Sequence, residues 1–88
     1  MDRTIYYYSY LSNVGPVSIM PHGAGYQVLV GAEKLGVYDN LEEAFTAAIT
    51  GETLVPYSGG DLSELDLPGD LAAWQKKVFA IIGRLRPA

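Results

Sequence analysis

The chain has 88 residues, 49% of them hydrophobic and 18% charged, with no cysteine and a net charge of −4. One hydrophobic core is what this length accommodates, and this composition is globular rather than disordered or coiled-coil. The lack of cysteine excludes disulfides, thiolate zinc sites and cysteine nucleophiles and fits a reducing cytoplasm; the N-terminal residues lack the pattern of a secretory signal, and the longest apolar run, residues 78–82, predicts no membrane span.

In chain order, residues 4–11 alternate as a strand, with Tyr6, Tyr8 and Tyr10 on one face and Ile5, Tyr7 and Leu11 on the other. Asn13, Gly15 and Pro16 form a turn into a second strand at 17–20. Pro21 to Gly25 reverses the chain, a third strand spans 26–30, and a loop at 31–34 leads to a fourth at 35–38. Residues 3–38 therefore read as a β-meander.

Asn40 is a suitable helix N-cap, and Glu43, three residues on, completes a capping box. Leu41, Ala44, Phe45, Ala48 and Ile49 make one apolar stripe, and Gly51 suits the residue after the helix, so 40–50 is expected to be helical. Residues 51–69 read as an acidic loop containing Ser58-Gly59-Gly60. Leu71, Trp74, Val78, Ile81, Ile82 and Leu85 recur at helical spacing after Pro68 and Asp70, which predicts a second helix over 68–85, with Phe79 widening its apolar face. The expected fold is one α+β domain over 1–88: a three- or four-stranded antiparallel sheet with two α-helices on one face.

Charge is segregated. Eight carboxylates lie between Asp39 and Asp70 with no Lys or Arg among them, whereas Lys76, Lys77, Arg84 and Arg86 follow with no further acid. Such polarity steers encounters with charged partners. Glu42, Glu43, Glu52, Asp61, Glu64 and Asp66 are the candidate residues for contact with a basic protein partner. Tyr6, Tyr8, Tyr10, Phe79 and Ile82 are the candidates for a homodimer interface.

Signals for catalysis and cofactors are absent from the sequence. His22, the single histidine, sits between Pro21 and Gly23 at an expected turn. Zinc needs more nitrogen or sulfur ligands than one His supplies, and Asp61, Glu64 and Asp66 lack the pattern of a calcium loop. Gly23-Ala24-Gly25 lacks the rest of a dinucleotide fingerprint, and no phosphate-cradling motif follows any strand. The strand tyrosines resemble base-stacking platforms, but outside the last segment the cations are Arg3 and Lys34, too few for a nucleic-acid groove.

The run Gly25-Tyr26-Gln27-Val28-Leu29-Val30, followed by Leu35-Gly36-Val37-Tyr38 and Leu41-Glu42-Glu43-Ala44, resembles a β-hairpin and helix module of uncharacterised small bacterial and phage proteins. Its layout is also similar to the plant ethylene-response type of DNA-binding domain. That resemblance implies the hairpin-to-helix fold; the Arg and Trp residues with which the plant domain reads DNA are replaced here by Gln27 and Leu29. The N-terminal Tyr-Tyr-Tyr-Ser-Tyr-Leu, Gly-Pro-Val-Ser-Ile and Pro-Gly-Asp-Leu-Ala-Ala-Trp runs likewise resemble small uncharacterised bacterial proteins and imply no activity. The expectation is a non-enzymatic, cofactor-free cytoplasmic protein of the inhibitor or immunity type, acting through its acidic segment. A homo-oligomeric structural module is the alternative, and a nucleic-acid-associated protein the third.

Overall fold

A computed structural model describes residues 3–82. The architecture is α+β: a five-stranded antiparallel sheet in the order β4-β3-β2-β1-β5 and one α-helix. The strands are β1 (Arg3–Ser12), β2 (Gly15–His22), β3 (Gly25–Val30), β4 (Glu33–Tyr38) and β5 (Gln75–Ile82); the helix is α1 (Leu41–Thr50).

Alternation dictates which residues enter the core. Val17 and Ile19 of β2 and Val28 and Val30 of β3 pair across the strands and lie on one face, where they are buried with Leu35. Helix α1 covers that face over β2, β3 and β4, and its fully packed residues are the small ones, Ala44, Ala47 and Ala48. Alanine lets the helix axis approach the sheet, while the half-buried Leu41, Phe45 and Ile49 reach around its sides.

Both ends of α1 are capped as its sequence demands. Asn40 Oδ1 accepts the Glu43 amide at 2.9 Å, and Glu43 Oε2 accepts from Asn40 Nδ2 at 2.7 Å, so the reciprocal bond is made to the side-chain amide rather than to the Asn40 backbone N–H. Gly51 adopts a left-handed conformation at φ 79° and donates to the Ala47 carbonyl, ending the helix.

The expected second helix is not formed. After a short 3-10 helix at Leu71–Ala73, the chain becomes extended at Trp74 and continues as β5 along β1. Val78, Phe79, Ile81 and Ile82 are β-branched or aromatic, and short apolar runs fit a strand and a helix equally. The open edge of β1 decides between them, because its tyrosine-rich strand supplies a ladder that a helix would leave unpaired. Leu85, the last residue of the expected stripe, lies outside the described residues. The sheet thus has five strands rather than three or four, and α1 alone covers it. The intervening loop is tied down by another 3-10 helix at Leu62–Leu65, which buries Leu62 beside α1.

Trp74 joins these parts. It is 4% exposed, with its ring 5.6 Å from Phe45 of α1 and 5.8 Å from Tyr10 of β1, and its indole N–H donates to the Pro68 carbonyl at 3.0 Å. Trp74→Ala is expected to cost about 3–5 kcal/mol, a large share of the ~4–13 kcal/mol available to a domain of this size. Urea titration followed by circular dichroism should show a largely unfolded protein or a greatly lowered midpoint. Asn40→Ala removes only the cap, about 1 kcal/mol, and should lower Tm by about 4–8 °C in a thermal melt.

Candidate protein interface

The two edges of the sheet differ. Along β4, residues 53–58 run back over the strand: the Val55 amide donates to the Leu35 carbonyl at 2.8 Å, and the Leu54 amide donates to Tyr38 Oη at 2.9 Å. Leu54 sits so close to Gly36, whose φ is +144°, that a side chain there would collide with it. Glu33 completes the seal by accepting from the Ser58 amide at 2.9 Å and the Ser58 hydroxyl at 2.7 Å.

No described segment covers the outer edge of β5, whose one neighbour in the sheet is β1. The pairing of β1 with β2 begins at Tyr8, whereas its pairing with β5 extends back to Arg3. Arg3–Tyr7 and the facing part of β5 therefore form a two-stranded ribbon projecting from the body, consistent with the elongated 50 × 23 × 21 Å dimensions. Two-stranded ribbons are marginally stable in water. This one is apolar on both faces: Tyr6, Val78 and Ile81 point to the helix side and Ile5, Tyr7 and Ile82 to the other, with Phe79 standing edge-on to the Tyr7 ring. Val78, Phe79, Ile81 and Ile82 are 54, 47, 66 and 53% exposed.

The start of the edge is blunted. Lys76 and Lys77 occupy it, the Lys76 ammonium lying 4.3 Å above the Tyr6 ring, and a β-bulge leaves Phe79 without a paired residue on β1. Beyond the bulge the described part of the edge carries Ala80, Ile81 and Ile82.

The sequence candidates are thus divided. Tyr6, Phe79 and Ile82 come together on the ribbon. Tyr8 and Tyr10 do not join them, because they are half-buried against the core. Val78 and Ile81 belong with the ribbon and were missed, since a helical reading of 68–85 turns them inward; their signal was the density of β-branched residues.

The acidic candidates are divided as well. Glu42, Glu43 and Glu52 line an open depression of about 310 Å³ beside Tyr38 and Thr46. Asp61 instead caps the 3-10 helix, its Oδ1 accepting from the Ser63 amide and hydroxyl at 2.9 and 2.8 Å. Asp66 ends that helix in a left-handed conformation, and Glu64 stands exposed in its first turn. Asp70 caps the next one through the Ala72 amide. His22 is exposed at the end of β2. Among the described residues no three His, Asp or Glu side chains are grouped to hold a metal ion, and no helix is long and apolar enough to cross a membrane.

No protein-family model matches the chain, and no curated protein or solved structure matches it either.

Two loop contacts are pH-dependent. Hydrogen bonds hold two carboxyls below their ordinary range: that of Glu33, through the Ser58 hydroxyl and then its amide, and that of Asp61, through the Ser63 amide and then its hydroxyl. A depressed folded value means that the stabilisation is present above the unfolded value, about pH 4–4.5, and is lost as pH falls through the folded one. On acidification the 53–58 segment should loosen from β4. NMR should show the Ser58 amide shift moving with the titration of Glu33, and Glu33→Gln should remove that movement; a Ser58 amide indifferent to pH down to about 2.5 would contradict the tether.

Proposed function

We propose that this chain is a protein-binding module that engages its partner by strand addition along β5. The observation that carries this reading is the contrast between the two sheet edges. β4 is sealed by residues 53–58, while among the described residues no segment pairs with the outer edge of β5 or covers the exposed apolar side chains of its ribbon. Monomeric proteins normally blunt such edges, and one blunted only at its start, by Lys76, Lys77 and the bulge, fits β-augmentation beyond it, in which main-chain bonds supply affinity and flanking side chains supply selectivity. We assign it no catalytic role. The cysteine-free composition supports a reducing compartment such as the cytoplasm.

A second reading, the inhibitor or immunity type with a basic partner, is favoured by Glu42, Glu43 and Glu52 converging on one depression. Asp61, Asp66 and Asp70 support it less, because local backbone capping already accounts for them.

Photo-crosslinking residues placed singly at Ile81, at Thr46 in the acidic depression and at the exposed turn residue Ala24 separate these readings in cells of the native host. Protein adducts from Ile81 alone are expected. Adducts from Thr46 alone would transfer the binding site to the acidic depression, and none from either position would remove the binding role.

A further inference from the structure

We infer that the face of the sheet opposite α1 is a further docking surface, and that its occupant is an acidic amphipathic helix of a partner protein. This rests on the reading of the chain as a protein-binding module and adds a surface separate from the outer edge of β5.

Register defines that face. Ser18 and Met20 alternate with the core residues Val17 and Ile19 and therefore point away from α1. Pairing carries the same face across all five strands: Gln75, Ser9, Ser18, Leu29 and Lys34 stand in one row. Next to it, Lys77 pairs with Tyr7, and Met20 continues through Gln27 to Val37. Helix α1 packs against the other side, and Tyr7, Met20, Leu29 and Val37 take no part in the core.

The centre of the face is recessed. Ser9 and Ser18 are 7 and 6% exposed although no described segment lies over them, so the larger Tyr7, Leu11, Met20 and Leu29 around them rise above them. Small residues at the centre let a helix backbone approach closely, the task that Ala44, Ala47 and Ala48 perform on the α1 side. A recess with an apolar surround fits a convex rod better than a flat lipid surface. Bases would need a stacking platform, and the Tyr7 and Phe79 rings stand edge to face at 79° instead.

Charge selects the partner. Glu33 is the one carboxylate in the five strands, and its pairing with the buried Val30 puts it on the α1 side. The strands place no acid on the opposite face, but they place Lys34 there on β4 and Lys77 on β5. In a chain of net charge −4 this is a local reversal of sign. It favours a partner that brings carboxylates beside its apolar stripe. The dimensions agree. Four inter-strand spacings separate β4 from β5, about 19 Å, and a helix with its side chains is about 10–12 Å across. Lysine stems leaning inward from both edges can then meet carboxylates on both flanks of one helix.

The probe is a designed amphipathic helix of about 18 residues, ~27 Å long, with a leucine stripe flanked by glutamates; its control carries lysines in their place. Two-dimensional NMR titration to about 1 mM peptide should move the amide signals of Ser9, Ser18 and Leu29 with the acidic peptide and leave them unmoved with the basic one. The double variant Lys34→Glu and Lys77→Glu, with both positions exposed, should retain the wild-type circular dichroism spectrum, weaken the acidic peptide at least tenfold and admit the lysine-flanked one. Signals that stay still throughout the wild-type titration, or move equally with both peptides, overturn the inference. It is also overturned if oligo(dT) or phosphatidylserine vesicles move these signals and the acidic peptide does not, which would give the face to nucleic acid or to lipid. Changes confined to Ala80, Ile81 and Ile82 would overturn it in favour of the β5 edge. Each of these failures leaves strand addition standing, because photo-crosslinks from Ile81 report on the edge and not on this face.

Discussion

The burial of Trp74 is the contact on which the rest of the arrangement depends. Its indole closes the end of the core between Phe45 of α1 and Tyr10 of β1, and its N–H is satisfied by the Pro68 carbonyl. A buried donor without a partner would be costly, so the hydrogen bond fixes how the preceding loop enters. The residue after Trp74 begins β5. The ring that completes the core therefore also delivers the last strand to the edge of β1, and placing the candidate interface is a consequence of packing the interior.

That coupling gives the molecule two unlike ends. Over β2, β3 and β4 the sheet is covered by α1, and the β4 edge is sealed by hydrogen bonds from residues 53–58. At the other end β1 and β5 run on as a ribbon after pairing with β2 has stopped. The core stabilises the first end. Among the described residues, the second has apolar surface on both faces and an outer edge of β5 with which no strand pairs.

The charge distribution takes a different meaning once the fold is known. In sequence, the eight carboxylates from Asp39 to Asp70 look like one surface. In space, Asp61 and Asp70 are held by backbone amides of the turns they initiate, and Glu43 is held by Asn40. Capping needs short acidic or amide side chains at these positions whatever the partner, which explains much of the block without invoking recognition. Its remaining effect is geometric: Glu42, Glu43 and Glu52 gather beside Tyr38 of β4, the strand at the opposite edge of the sheet from β5.

Residues 3–50 were legible in the sequence because their signals are local. Alternation defined the four hairpin strands, and Asn40, Glu43 and Gly51 set the ends of α1 within a few residues of themselves. Tyr6, Phe79 and Ile82 were identifiable as apolar residues in excess of what a small core needs, although Tyr8 and Tyr10 of the same group went into the core. The conformation of residues 75–82 was not legible, since Val78 to Ile82 satisfies helical and extended spacing alike and the choice depends on an edge of β1 more than sixty residues away in the chain. The sequence by itself determined a single α+β core, a capped helix and a segregation of charge, all of which follow from composition and short-range periodicity. Only the tertiary structure decided that the final apolar segment is a strand and that no described segment pairs with its outer edge, because backbone pairing between distant segments leaves no mark in the spacing of either one.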